Sequence, residues 1–386
     1  MKDFNKFIHF IRNIYKTNEF IPLHEPKFIG NEKKYLNECI DSSYVSSVGK
    51  FVNLFEQKIA DFTGAKYAIA TVNGTAALHM SLILSDVSFD DEVITQPLSF
   101  IATSNAITYV GAKPIFIDVD LDTMGLSPEK LEHFLKNKTN LKSDGFSYNN
   151  LTGKRIAACI PMHTFGHPVR IEKIAKICSK YNIKLIEDAA ESLGSFYKDK
   201  HTGTFGQLGN ISFNGNKIIT AGGGGCIITN DELLAKKAKH LTTTAKIPHK
   251  WEYTHDIVGY NYRLPNINAA LGCAQLENIE KFIKQKRKLT QLYKSTFEKI
   301  DNIELFLEPK NAKSNYWLQC ILLNNHTVKL RNVILESLNN LNLMSRPVWR
   351  PLHKLKPFRG CPKSDLYVTN DLENKMINIP SSSKLI

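Results

Sequence analysis

The 386-residue sequence lacks any long uninterrupted apolar stretch, including near its N-terminus. A membrane-spanning helix needs about 20 consecutive apolar residues, and a secretory signal needs an apolar core of roughly 7 to 15. Neither pattern is present, although apolar residues make up 42% of the chain. We therefore expect a globular protein that is not associated with a membrane.

Cysteine pairs are also missing. Seven cysteines are scattered along the chain, and no Cys-x-x-Cys pair occurs among them. An odd and dispersed set argues against a disulfide framework or a zinc site. The sequence therefore predicts no bound metal and a reducing compartment, which we take to be the cytoplasm.

Dense blocks of like charge are absent as well. The formal net charge is +13, but the lysines are dispersed among helical segments without interleaved aromatic residues. A nucleic-acid-binding surface would concentrate its basic residues on one face. We therefore predict no nucleic-acid partner.

One lysine is distinguished by the stretch that surrounds it. Lys217 lies between the polar approach 212–216 and a run of four glycines, 222–225. Glycines let the backbone come close to bulky groups without interference from a Cβ atom, and lysine is the side chain whose amine condenses with carbonyl groups. Lys217 is therefore a candidate for a lysine that binds pyridoxal 5'-phosphate (PLP). The alternative is an ordinary loop lysine.

A second candidate lies at the end of a predicted strand. Leu185 and Ile186 lead into the acidic pair Glu187-Asp188, and open α/β sheets bind ligands at the carboxyl edge of their strands. PLP needs an anionic partner at its pyridine nitrogen, because a protonated ring is the better electron sink. Asp188 is our candidate for that partner, and a capping or ion-paired aspartate is the alternative.

A third segment has the pattern of a phosphate-binding helix start. A predicted strand that ends at Thr71 runs through Asn73-Gly74-Thr75 into an alanine-rich helix. Backbone amides and the helix dipole at such an N-terminus bind phosphate. Gly74 would permit close approach and Thr75 would add a hydroxyl group. An N-cap that serves only the helix is the alternative.

Between about residue 66 and residue 250, short apolar segments alternate with helical patterns. This alternation predicts an α/β fold with a mainly parallel, doubly wound sheet. The chain is too long for a single hydrophobic core, so we predict an N-terminal helical extension over 1–20, a large domain over 21–255 and a smaller α+β domain over 256–386. A long helix is predicted over 267–300. The predicted strands of the large domain are 67–71, 92–95, 113–117, 155–161, 184–187, 209–214 and 225–229.

Taken together, these segments resemble the nucleotide-sugar aminotransferases, the DegT-type family of fold-type-I PLP enzymes. The resemblance covers nearly the whole chain, from about residue 21 to residue 380. It implies a PLP-dependent transaminase that uses L-glutamate as the amino donor and forms a homodimer with shared active sites. The motifs that carry it are Gly74-Thr75-Ala76, Glu187-Asp188-Ala189-Ala190-Glu191, Ser212-Phe213-Asn214-Gly215-Asn216-Lys217 and Gly259-Tyr260-Asn261-Tyr262-Arg263-Leu264.

The resemblance also implies roles for individual residues. Lys217 would bond to PLP and later move protons, and Asp188 would keep the ring nitrogen protonated. The other residues implied in cofactor binding are Gly74, Thr75, Ala76, Phe100, Glu191 and Ser212, with Asn261 from the neighbouring subunit. Residues implied at the substrate are Ser46, Ser47, His163, Arg263 and Arg346. A core position for Phe100, a structural ion pair for Arg263 and a plain connecting loop around Ser46 are the alternatives.

Glu191 narrows the substrate that the resemblance implies. Much of the family has glutamine or histidine at this position, and Glu191 resembles the branch that aminates UDP-linked 4-keto-6-deoxy-N-acetylhexosamines for bacillosamine- or legionaminic-acid-type sugars. The loop 43–49 and the glycine-rich segment 221–225 point the same way. We therefore predict 4-amination of such a nucleotide sugar for surface glycan synthesis. Amination at the 3-position, a dTDP- or GDP-linked acceptor, a dehydratase on the same scaffold and a non-catalytic PLP- or sugar-binding regulator are the alternatives.

Overall fold

A computed structural model describes residues 2–324 and 327–383 of the chain. The helices are α1 Lys2–Tyr15, α2 Glu32–Asp41, α3 Lys50–Thr63, α4 Gly74–Leu84, α5 Ile101–Tyr109, α6 Pro128–Lys138, α7 Ile171–Lys180, α8 Glu232–Thr242, α9 Asn266–Leu276, α10 Ile279–Phe297, α11 Val328–Asn340 and α12 Tyr367–Lys375. The strands are β1 Tyr67–Thr71, β2 Glu92–Thr95, β3 Lys113–Phe116, β4 Thr139–Leu141, β5 Ser147–Asn149, β6 Ile156–Ile160, β7 Lys184–Asp188, β8 Phe196–Tyr197, β9 Lys200–His201, β10 Leu208–Ser212, β11 Gly225–Thr229, β12 Ile303–Leu305, β13 Ala312–Lys313, β14 Gln319–Leu323, β15 Arg346–Pro347 and β16 Met376–Ile379.

The central sheet has seven strands in the order β1-β11-β10-β7-β6-β2-β3. Neighbours from β10 to β3 are parallel, whereas β11 runs antiparallel to both β1 and β10. Apolar clusters lie on both faces of this sheet, which is why its strands are short apolar runs and not alternating patterns. The mainly parallel α/β fold predicted from the sequence is confirmed.

Three chain segments meet at one edge of the central sheet. The parallel neighbours β7 and β10 end there with Asp188 and Ser212. Thr71, the last residue of β1, pairs with Gly225 at the start of β11, and α4 begins three residues later at Gly74. The segments singled out in the sequence therefore converge at the carboxyl edge, where such sheets bind ligands.

A second, antiparallel sheet has the order β12-β14-β16-β15. The N-terminal helix α1 packs in the same region, because its Phe7, Ile11 and Tyr15 share an apolar cluster with Tyr293 and Phe297 of α10. Packing on α10 and the small sheet thus accounts for the amphipathic pattern of the N-terminal segment. The predicted domain boundaries stay predictions.

The long helix predicted over 267–300 is two helices in the structure. Asn278 separates α9 from α10 with φ −112° and ψ 4°, outside helical geometry. Asparagine favours such interruptions because its short side chain competes for nearby backbone groups. Helix α9 contributes Cys273 to the core beneath the central sheet, and the start of α10 adds Phe282 to that same core. Farther along, α10 contributes Leu289 and Tyr293 to the core of the small sheet.

Within residues 2–324 and 327–383, no helix is long and apolar enough to cross a membrane. The same residues contain no group of three or more His, Cys, Asp or Glu side chains that would hold a metal ion.

Candidate active site

A cavity of about 340 Å³ opens at the carboxyl edge of the central sheet. Lys217 and Asp188 both line it, so the two side chains share one space that is large enough for a flat ring. The predicted cofactor-binding residues on its wall are Gly74, Thr75, Phe100, Asp188, Glu191, Ser212 and Lys217.

Lys217 lies in the turn that connects β10 to β11. Its backbone amide donates to the carbonyl of Asn214 at 3.0 Å, which closes the turn just before the side chain. The side chain is only 12% exposed, and its Nζ lies 3.2 Å from Oε1 of Glu191. A primary amine held in this way at a cavity wall is positioned to react with a carbonyl group.

Asp188 is buried at the end of β7. Its Oδ2 accepts a hydrogen bond from Oγ1 of Thr103 at 2.7 Å, and its Oδ1 accepts one from the Ala190 backbone amide at 3.2 Å. Burial raises the pKa of Asp188, while these hydrogen bonds and the positive charge of Lys217 oppose the rise. A carboxylate fixed through both oxygens is well oriented to bind a protonated ring nitrogen.

Glu191 is a third ionisable group on the cavity wall. While its Oε1 contacts Lys217, its Oε2 accepts a hydrogen bond from the Phe165 backbone amide at 2.9 Å. Burial raises the pKa of Glu191 to about 7, and the nearby charge of Lys217 partly offsets that rise. Glu191 can therefore exchange a proton beside the reactive amine near neutral pH.

The start of α4 forms the polar end of the cavity. The first amides of a helix have no intrahelical partner, and Gly74 and Thr75 lie on the wall beside Ser212. A Cβ added at Gly74 would come within 2.9 Å of the Ser212 Cβ, so only glycine permits this approach. A helix N-terminus next to two hydroxyl side chains is suited to a phosphate group. Together with an amine and a carboxylate, this donor set fits PLP.

Two details of this end differ from the prediction. The amide of Ala76 donates to Oδ1 of Asn73 at 2.8 Å, so it caps the helix and is not free to bind a phosphate. A Cβ at Gly225 would lie 2.4 Å from the Asn73 carbonyl carbon. The close approach that this glycine permits is thus to the chain's own backbone.

His163 does not lie on the cavity wall, in contrast to its predicted place at the substrate. Its ring is fully buried, with Nε2 3.1 Å from Oε2 of Glu187 and Nδ1 accepting from the Val169 amide at 3.3 Å. Burial raises the pKa of Glu187, but the His163 hydrogen bond and backbone amides outweigh burial and lower it. Because both ring nitrogens are used inside the protein, we assign His163 a supporting position next to Asp188, whose carbonyl accepts from its backbone amide at 3.2 Å.

Ser46, Ser47 and Arg346 also lie outside the residues that line this cavity. The carbonyl of Ser46 accepts from the Asn266 amide at 2.5 Å. Arg346 belongs to the edge strand β15, and its Nη1 donates to Oδ1 of Asn339 at 3.0 Å. Within one subunit Ser46 and Arg346 have structural contacts, and the predicted role of all three residues at the substrate stays a prediction.

Asn261 and Arg263 interact with each other on the outer side of the sheet edge. The Nε and Nη2 atoms of Arg263 donate to Oδ1 of Asn261 at 3.0 and 2.9 Å, and Arg263 pairs with Thr71. Neither residue lines the cavity of its own subunit. Their predicted contact with a neighbouring subunit's site stays a prediction.

Two tryptophans on the cavity wall were missed as site residues by the sequence argument. Trp317 precedes β14, and Trp349 follows β15, so both come from the smaller sheet region. Trp349 stacks near Phe165 at a centroid distance of 4.6 Å and near Phe100 at 6.4 Å. The sequence contains three tryptophans in all, and for Trp317 this scarcity is the one signal in the sequence. Trp349 lies three residues after Arg346, which the resemblance placed at the substrate.

Comparison with known proteins gives matches over nearly the whole chain. The family model of the DegT/DnrJ/EryC1/StrS aminotransferase family matches residues 26–386. A GDP-perosamine synthase of Escherichia coli O157:H7 is 37% identical over 95% of this chain and 94% of its own length, and one of Vibrio cholerae is 33% identical over 94% of each. The structure of Helicobacter pylori PseC, an aminotransferase involved in the biosynthesis of pseudoaminic acid, has a TM-score of 0.85, 25% identity and 95% coverage of both chains.

Proposed function

This chain belongs to the DegT/DnrJ/EryC1/StrS aminotransferase family, and we propose that it moves an amino group from L-glutamate to the 4-keto carbon of a nucleotide-linked 4-keto-6-deoxy sugar. The chain is a PLP-dependent sugar aminotransferase, so the donor, the acceptor and the residue roles are what remains to be tested. The observation that carries the proposal is the single cavity shared by the Lys217 amine and the Asp188 carboxylate.

The proposed roles follow from the positions of these side chains. The chemistry that PLP supplies when bound is an aldehyde carbon that accepts and returns the amino group, next to an electron-withdrawing ring. Lys217 would bond to that carbon and, once released, carry the proton that leaves the α-carbon of the donor. Asp188, held by Thr103, would keep the ring nitrogen protonated. Gly74 and Ser212 would hold the phosphate.

Two nucleotide classes are candidates for the acceptor. Glu191 and the loop 43–49 favour a UDP-linked N-acetylhexosamine on sequence resemblance alone. The two relatives described above are named GDP-perosamine synthases, which favours a GDP-linked sugar instead. The relatives do not confirm the UDP-linked acceptor, and we therefore propose the GDP-linked 4-keto-6-deoxy sugar as the second candidate.

The proposal also includes a homodimer. The segment between α8 and α9 exposes Trp251 (72%), Tyr253 (80%) and Val258 (80%). An exposed group of large apolar side chains is typical of an interaction surface. It adjoins Asn261, whose predicted role requires a second subunit, so a dimer through this segment would bring Asn261 to the partner's cofactor.

The test separates the two half-reactions. Adding L-glutamate to the loaded enzyme should bleach the absorbance of the bound aldehyde form, and 2-oxoglutarate should appear in equal amount. The aminated enzyme is then offered a panel of GDP-, UDP- and dTDP-linked keto sugars, with the amination position and stereochemistry read by NMR. A Lys217→Ala variant is the control. Failure of glutamate to bleach the spectrum would favour a non-catalytic regulator, and amination only at C3 would contradict the 4-keto assignment.

A further inference from the structure

The side chains of Glu191 and Trp317 both lie close to the amine of Lys217 in the cavity. Oε1 of Glu191 lies 3.2 Å from Nζ, and the ring centroid of Trp317 lies 4.1 Å from the same atom. An ammonium group over an indole face is attracted by the ring quadrupole, most strongly where water is excluded. Both neighbours are buried, so this is such a place.

The indole ring of Trp317 is fixed in this orientation. Its Nε1 donates to the carbonyl of Asn216, the residue just before Lys217, at 2.6 Å. Its backbone carbonyl accepts from the Nζ of Lys286, a fully buried lysine, at 2.9 Å. Its backbone amide donates to Oδ1 of Asn315 at 2.8 Å. The backbone bonds fix the position of the residue, and the indole face cannot turn away from Lys217 without breaking the Nε1 hydrogen bond.

The same short segment also holds Glu191. Nδ2 of Asn315 donates to the backbone carbonyls of Glu191 and Leu193, each at 2.9 Å. Asn315 thus bonds to both neighbours of the Lys217 amine, one through its amide nitrogen and the other through its amide oxygen. A tryptophan that only packed in the core would need neither a hydrogen-bond partner in common with Glu191 nor a cation over its ring.

We infer that Trp317 is a positioning residue that, together with Glu191, holds the amine of Lys217 whenever that amine is not bonded to PLP. This adds a role for a residue outside the recognised motifs. It rests on the PLP-binding role of Lys217 and does not depend on which sugar is the acceptor.

The chemistry of the bond between Lys217 and PLP shows what Trp317 and Glu191 act on. The ammonium form of Lys217 first gives one proton to Glu191, whose carboxylate becomes a carboxylic acid. The free amine of Lys217 would then be able to condense with the aldehyde that PLP supplies, with its nitrogen in the new C=N bond and its two remaining protons released with the aldehyde oxygen as water. Burial raises the pKa of Glu191 to about 7, so near neutral pH this carboxylate is a stronger base than that of an exposed glutamate. Trp317 keeps the amine beside that carboxylate.

The test compares two forms of the cofactor on full-length protein from which the cofactor has been removed. PLP bonds to Lys217, whereas pyridoxamine phosphate binds in the same cavity but has no aldehyde to bond to. Stopped-flow absorbance measures the rate of covalent capture of PLP, and borohydride trapping with mass spectrometry confirms the attachment site. Titration calorimetry measures the dissociation constant of pyridoxamine phosphate.

Three replacements at position 317 provide the matched series. Trp317→Leu should speed covalent capture by about fivefold to thirtyfold, because the lost cation–π contact stabilises the ammonium form, which must give up a proton before its nitrogen can attack. Trp317→Phe retains an aromatic face, so its rate of covalent PLP capture should stay within about threefold of the parent rate. A fluorinated tryptophan inserted at position 317 weakens the ring quadrupole without changing the shape, so it supplies the answer even if Trp317→Leu does not fold.

The inference predicts that the dissociation constant of pyridoxamine phosphate changes by less than about twofold in all three proteins, because that ligand does not use the amine. Equal weakening of both cofactor forms would show that Trp317 merely shapes the cavity and would overturn the inference. Unchanged capture by the fluorinated protein would overturn it as well. The assay contains neither glutamate nor a nucleotide sugar, so a wrong acceptor would not affect its outcome.

Discussion

Replacing Glu191 by glutamine should change how the stability of the protein depends on pH. Glu191 is buried, and its carboxyl group bonds to Lys217 on one oxygen and to the Phe165 amide on the other. Glutamine has the same shape but does not titrate. The substitution therefore removes one proton-binding group from the folded protein while leaving the packing nearly intact.

The magnitude follows from the shifted pKa of this carboxyl group. Burial raises the pKa of Glu191 from 4.5 to about 7, so between these values the folded protein binds a proton that the unfolded chain does not. At about 1.36 kcal/mol per pH unit, the stability that this proton contributes is about 3 kcal/mol. It is fully present below pH 4.5 and is lost as the pH rises through 7. The free energy of unfolding should thus fall between pH 5 and pH 8 by roughly 2 to 3 kcal/mol more in the parent than in Glu191→Gln.

Urea unfolding of the full-length, cofactor-free protein at pH 5 and pH 8 measures this difference. The free energy of unfolding at pH 5 is compared with that at pH 8 for the same protein. A pH-independent loss of stability from the altered contact with Lys217 therefore cancels. An exposed position, Glu304→Gln, controls for the removal of one negative charge. Equal pH dependence in the parent and in Glu191→Gln would show that this carboxyl group does not take up a proton on folding, and the reasoning about its burial would be wrong.

Three further predictions concern the proposed chemistry. Lys217→Ala should retain its circular dichroism spectrum and lose transamination, and measurable turnover would exclude Lys217 as the reacting amine. Thr103→Val removes the hydroxyl donor to Asp188, and because a hydrogen bond to a charged group contributes about 1.5 to 3 kcal/mol, the stopped-flow rate of the glutamate half-reaction should fall by about tenfold to a hundredfold. An unchanged rate would mean that Asp188 needs no such support. Mixing unfolded Lys217→Ala and Asn261→Ala subunits and refolding them together should restore about a quarter of parental activity, since half the dimers would carry one intact shared site; no recovery would argue against sites shared between subunits.

The parts of the fold that were predicted correctly from the sequence are those determined by residues close together in the chain. β1, β2 and β11 have the bounds expected from their apolar runs, because a short buried strand between polar turns is a local pattern. The convergence of Gly74, Asp188 and Lys217 follows from one general rule as well, since parallel strands present their carboxyl ends at a common edge.

Features that depend on distant contacts were not predictable in the same way. His163 follows β6 and therefore reaches the correct edge of the sheet, yet its ring bonds to Glu187 and stays out of the cavity. A local pattern of residues indicates roughly where a strand ends, but it carries no signal for the direction in which the next side chain points. The division between α9 and α10 likewise depends on distant contacts, since α9 and the start of α10 pack in one core and the rest of α10 packs in another.

Trp317 is the extreme case, because its position depends on partners far away in the chain. It is 101 residues from Asn216, the carbonyl that receives its indole hydrogen bond, and Asn315 is 124 residues from Glu191. Neither pair forms a motif, and a tryptophan next to an apolar strand is most simply explained as core. Only the folded chain brings the indole face to the amine of Lys217. Local sequence patterns can thus identify residues that bond to PLP. Residues that position the unbound amine of Lys217 can be identified only in the folded structure. Comparing PLP capture with pyridoxamine phosphate binding tests whether Trp317 belongs to this second group.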